Sequence, residues 1–169
     1  MKTKRKNKRG RMASVICRLF GILILVAVIG MLVPVTVPRF MGYEIFNIIS
    51  GSMEPEIPVG SIVYVKPADL YTISGDDIIA FNSHGSVVVH RVVTNHLVEE
   101  NFITKGDANE KEDIEPVPYA SVYGPVVKHY PVIGQLMMIM SNTLGKVLLL
   151  CLILSGVLLN IIAGRLQEE

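Results

Sequence analysis

A mainly β domain flanked by N- and C-terminal transmembrane α-helices is the fold the sequence predicts, on three observations. Seven of the first eleven residues are Lys or Arg, and a charge-free apolar run from Leu19 to Val33 follows them. A second charge-free run, Val147 to Gly164, lies near the other end of the chain. Between them, short stretches rich in Val, Ile, Tyr and Phe alternate with Gly, Pro, Asp and Ser turns, and no helical apolar period of any length occurs.

The first span is placed at 12–33. Its 22 residues make about 33 Å of helix, enough for a hydrocarbon core of about 30 Å. Pro34 and Pro38 are expected to break the helix, and Arg39 is the next charge. Arg18 sits near one end, where its stem can reach headgroups. The basic tail, 1–11, leaves nine basic residues to face all fifteen acids, so the remainder carries a formal −6. A nucleic-acid arm would have such a tail, but the apolar run behind it identifies an anchor oriented with its N-terminus in the cytoplasm, and no nucleic-acid partner is expected. The apolar run is long, and Pro34-Val35-Thr36-Val37-Pro38 lacks a small-residue cleavage pattern, so the anchor is read as uncleaved.

The second membrane segment is placed at 136–164. Val147 to Gly164 is 18 residues, about 27 Å of helix. Leu136 to Met140 would lengthen this slightly short span. A core helix of a soluble protein rarely lacks a polar stripe for five turns. Two spans and an inside N-terminus place the middle outside the cytoplasm and return the tail, 165–169, inside. The result is a multi-pass membrane protein with an extracytoplasmic domain. Cys17 and Cys151 both fall in or beside the spans, so the middle has neither a disulfide framework nor a thiolate zinc cluster, and no cofactor is indicated.

The middle, 40–133, reads as strands at Ser61–Lys66, Asp77–Phe81 and Val87–Val93, with weaker ones at Phe102–Thr104 and Val122–Val127. His84-Gly85 reads as a hairpin tip. An apolar-rich run, Tyr43 to Ile49, leads into Ser50-Gly51-Ser52-Met53-Glu54-Pro55, where Gly51 relaxes the backbone before Ser52 and Pro55 stiffens it after. His90 lies inside the valine strand, sharing a face with Val88 and Val92, while Arg91 points the opposite way. Thr104-Lys105-Gly106-Asp107-Ala108-Asn109 reads as a turn, with Asp113 six residues beyond Asp107. A serine hydroxyl is barely ionised at neutral pH and needs a base, which an imidazole oriented by a carboxylate supplies. Ser52, His90 and one of Asp107 and Asp113 are therefore the candidate catalytic residues.

Those three segments, in that order behind an anchor, resemble type I signal peptidases, and the likeness runs from the first span to Pro131-Val132-Ile133-Gly134. Most bacterial members have lysine where this chain has His90. The histidine makes the chain similar to the endoplasmic-reticulum and archaeal branch, also carried by some spore-forming Gram-positive bacteria. The resemblance implies a mostly β catalytic fold, with Ser52 as nucleophile, His90 as general base and Asp113 as the acid of the triad. Asp107 matches the aspartate of the Gly-Asp box. Ser50 matches a serine that, in the lysine branch, helps build the oxyanion hole alongside the Ser52 N–H. The implied substrates are secretory preproteins, cut after small residues at −1 and −3 of their signal peptides. Membrane lipid and the translocation machinery are the other partners implied.

We expect Asp113 at the imidazole and Asp107 on backbone N–H groups of its own loop. Two alternatives stay open from the sequence: Lys66 or Lys105 acting as the base, and a scaffold subunit without activity.

Overall fold

A computed structural model describes residues 6–131 and 133–168. Lys2, Lys4 and Arg5 of the basic tail lie outside the described residues. The chain forms two compact units, one of Thr36–Met138 and one of the chain up to Val35 together with the chain from Ile139.

The second of these is built on two long helices, α1 (Lys6–Phe40) and α3 (Thr143–Glu168). Both are long and apolar enough to cross a membrane, and only 11% of each apolar window is buried. They run antiparallel, with Gly10 against Leu166 and Gly21 against Gly156. Ser14 Oγ donates to Ala163 O at 2.6 Å, and Arg18 reaches Gln167 at 3.1 Å.

Pro34 and Pro38 do not end α1, contrary to the sequence expectation. A proline withholds one donor and bends a helix, whereas ending it in an apolar stretch would strand a whole turn of carbonyls. The stop comes at Gly42, whose φ of +82° suits glycine. There Gly42 N donates to Arg39 O and Tyr43 N to Pro38 O, so the last carbonyls are capped by a Schellman turn. The expected lengthening of the second span by Leu136–Met140 is also revised. Those residues belong to a separate short helix, α2 (Ile133–Ser141). Asn142 then starts α3 afresh by accepting from Gly145 N at 2.7 Å.

The unit Thr36–Met138 is a seven-stranded antiparallel sheet in the order β1-β2-β7-β3-β4-β5-β6. Its strands are β1 (Glu44–Asn47), β2 (Ile62–Val65), β3 (Ile78–Ser83), β4 (Ser86–His96), β5 (Asn101–Lys105), β6 (Val117–Pro118) and β7 (Val122–Tyr130). The β3–β4 hairpin turns at His84-Gly85, both at positive φ (51° and 82°), the geometry of a tight two-residue turn. Strands β4 and β7 are longer than their valine runs suggested, and β6 carried no readable signal at two residues.

Alternation along β4 divides the core. Val89 joins Ile48, Met53, Ile57, Val63, Val65 and Ala80 in one cluster. Val92, with Val88 packed behind it, joins Ile73, Ile79, Phe81, Phe102 and Val117 in the other. His90, on the second face, pairs with Ile79 across the ladder.

Candidate active site

Ser52 lies in the loop between β1 and β2, and its neighbours hold that loop in place. Met53 and Ile57 are buried in the first cluster. Ile57 N donates to Met53 O at 2.8 Å, and Ile48 N and Gly60 N bond across the base of the loop. Burying the residue just after the serine fixes its backbone, while Ser52 itself lines a cavity of about 300 Å³. The Ser50 hydroxyl, on the same rim, is 3.4 Å from that of Ser52. Gly51 has a φ outside the left-handed region, and a Cβ there would meet Glu54 at an ordinary 3.5 Å. Glycine is thus not sterically required at that position, which differs from the role the sequence suggested for it.

His90 lines the same cavity, with Val88 and Asn109. It is buried, and the Phe81 ring stands edge-on to it at 6.2 Å. Its Nδ1 is 2.6 Å from Asp113 Oδ2. An ionised carboxylate only accepts, so this bond places the ring proton on Nδ1 and leaves Nε2 as the basic nitrogen. Neither Lys66 nor Lys105 lines the cavity. The Lys66 ammonium lies 5.6 Å above the Tyr43 ring instead.

The carboxylate is itself held. Thr104 Oγ1 donates to the same Oδ2 at 2.6 Å, and Asp113 N donates to Thr104 O at 2.8 Å. Thr104 is fully buried at the end of β5. Sequence reasoning passed over its role, although it stands at the head of the Gly-Asp segment, where a buried hydroxyl needs a partner.

Asp107 does not reach the imidazole, and it does not bond its own loop as expected. Arg91 Nε donates to Oδ1 at 2.8 Å and Nη2 to Oδ2 at 2.7 Å, a two-pronged pair, while Nη1 reaches Asp76 O. The hydrogen bonds to Asp107 hold the guanidinium above its usual pKa, against the lowering effect of burial. The cause is the alternation already legible in β4. His90 and Arg91 face opposite ways, and the two aspartates of the following loop divide between them. Asp107→Asn should therefore leave a half-buried guanidinium badly paired and cost about 1–3 kcal/mol, measured by denaturant unfolding. A change within error would show that the pair is not a structural clamp.

Gly106 brings the same loop against Ser52. Ala108 N donates to Ser52 O at 2.9 Å, and a Cβ on Gly106 would lie 2.6 Å from that oxygen. Gly106→Ala must push the two segments apart. Displacing a reacting group by about 1 Å costs on the order of 10²-fold, so kcat/KM should fall by that much with the fold retained. Full activity in this variant would mean that the loop does not set the serine's position.

No family model matches the chain. Among curated proteins it is similar to Signal peptidase I W of Bacillus subtilis (strain 168), 38% identical over 87 residues, which is 47% of this chain and 44% of that protein's length. It is similar to the Signal peptidase complex catalytic subunit SEC11 of Ogataea parapolymorpha, 28% identical over 63% of this chain and 73% of the relative. The SEC11 subunit of Komagataella phaffii is 30% identical over 130 residues, 66% of this chain and 75% of the relative. The chain belongs to the signal peptidase family. Its similarity extends to a bacterial signal peptidase and to the yeast catalytic subunits alike. As a signal peptidase family member, the chain places Ser52, Ser50 and His90 around one cavity, with Asp113 behind the imidazole and Asp107 on Arg91.

Proposed function

We propose that this member of the family is a membrane-bound serine endopeptidase that removes N-terminal signal peptides from secreted preproteins. The bond between His90 Nδ1 and Asp113, with Ser52 across the same cavity from that imidazole, carries the reading. His90 Nε2 takes the proton of the Ser52 hydroxyl as its oxygen attacks the scissile carbonyl. The Ser52 N–H and the Ser50 hydroxyl face the oxyanion that forms. The carbon–nitrogen bond breaks, the amine leaves with the proton from His90, and the same imidazole then activates water to hydrolyse the acyl-enzyme. Asp113 steadies the imidazolium without taking its proton. The cavity of about 300 Å³ is lined by Phe46, Ile48 and Met53, and the family resemblance implies small side chains before the cut.

Helices α1 and α3 cross the membrane in this reading, the Thr36–Met138 unit lies outside the cytoplasm, and secretory preproteins reach it from the translocation machinery. Purified protein in lipid vesicles should cut a preprotein once, after a small residue at −1, as read by the mass of the new N-terminus. Cleavage at scattered sites, or none, would overturn the proposal. Protease added to spheroplasts should reach the β unit while a tag on Met1 stays protected, and the opposite pattern would reverse the orientation.

A further inference from the structure

We infer that a groove on the Asp113 side of the imidazole receives the substrate chain on the leaving-group side of the cleaved bond, and that it disfavours acidic residues there. The inference rests on the peptidase reading above and adds a second specificity surface to it.

The groove measures about 1070 Å³ and lies beside the serine cavity. The two share Val88, His90 and Asn109; Ser50 and Ser52 line only the smaller one, and Asp113 only the larger. Acyl transfer gives that division a direction. When the carbon–nitrogen bond breaks, the acyl carbon stays on the Ser52 oxygen. The amine nitrogen takes up the proton that the imidazole had removed from the Ser52 hydroxyl. The nitrogen must therefore sit at His90 Nε2, on the Ser52 side of the ring, and the chain attached to it has to pass the imidazole to leave the serine cavity. The groove is the adjoining space that His90 also lines, and it has room for an extended segment of several residues. The two adjoin at Val88, His90 and Asn109, so one peptide bound across these residues would occupy both.

Chemistry of the walls sets the preference. Phe81, Val88 and Val117 supply apolar surface, and Ile114 stands on the rim almost fully exposed at 99%. The rim also carries Glu110 and Glu112 against Lys111. Glu115 faces His84 at 3.8 Å. An acidic residue just after the cut meets carboxylates of its own sign, and a basic one meets opposite charge. Because these groups are exposed, the effect is modest and screened by salt.

The test uses one signal peptide followed by Lys, Ser or Glu at the second and third positions after the cut. Wild-type kcat/KM should favour Lys over Glu by about fivefold at low ionic strength, and the ratio should shrink in about 0.5 M salt. Glu110→Gln with Glu112→Gln should bring the ratio close to one. Separately, Ser52→Ala enzyme is mixed with a preprotein carrying a photo-crosslinker at +2 or at −3. The +2 probe should attach within residues 109–118 or to Phe81, and the −3 probe within residues 46–53. Cleavage of the Ser substrate with no Lys–Glu difference, or a +2 probe attached beside Ser52, overturns this inference and leaves the peptidase reading standing. No cleavage of any of the three overturns both.

Discussion

Replacing Ser52 with alanine is expected to lower the rate of signal-peptide removal by about 10⁶-fold, the usual cost of losing the nucleophile in a serine hydrolase. The substitution takes away one oxygen. It leaves Met53 and Ile57 in the core and the Ala108–Ser52 backbone bond in place. The unfolding midpoint should accordingly stay at its wild-type value. The Ser50 hydroxyl, 3.4 Å away, is the nearest substitute nucleophile and gives the comparison its force. As an oxyanion donor, Ser50 should cost only about 10²–10³-fold when replaced by alanine. Rates measured under single turnover for both variants decide the matter. Should Ser52→Ala turn over freely while Ser50→Ala does not, the nucleophile is the other serine.

Asp113→Asn carries the second large effect, expected near 10⁴-fold in kcat/KM. Two donors, His90 Nδ1 and Thr104 Oγ1, converge on the same carboxylate oxygen. An asparagine that turns its NH₂ toward the ring forces the imidazole proton onto Nε2, so the nitrogen facing the serine can no longer accept. One that turns its oxygen there keeps the tautomer and loses the charge that steadies the imidazolium. Nitrogen NMR of the His90 ring separates the two cases, and a purely structural role for Asp113 would move neither the tautomer nor the rate at constant stability. The assignment is inverted if Asp113→Asn keeps most of its activity and Asp107→Asn loses it with the fold intact.

Much of this arrangement was legible before any coordinates, for identifiable reasons. The Val-rich period of β4 placed His90 and Arg91 on opposite faces, because side chains alternate along any strand. The expectation of Asp113 at the imidazole came from family resemblance and loop length, and Asp113 Oδ2 lies 2.6 Å from His90 Nδ1. Asp107 was misjudged because a Gly-Asp turn advertises local backbone bonding, whereas a guanidinium two strands of sequence away offered a charged, two-pronged partner. Pro34 and Pro38 misled in a similar way. Proline is a strong local stop in water, but the capping turn at Gly42 settled where α1 ends. Thr104 was invisible as a site residue, since nothing local distinguishes a threonine that holds a carboxylate from one that fills a strand.

The ten residues from Thr104 to Asp113 grip Ser52 at one end and His90 at the other: Gly106 and Ala108 abut Ser52, and Asp113, held by Thr104, fastens the imidazole. Armed and disarmed states are thereby tied to a single event. Were this segment to lift away, the serine would lose its backing and the histidine its orientation together, so a partly opened molecule becomes inert instead of turning into a slow and indiscriminate hydrolase. That wiring acts as a safety catch: the site is assembled only while the whole loop is seated.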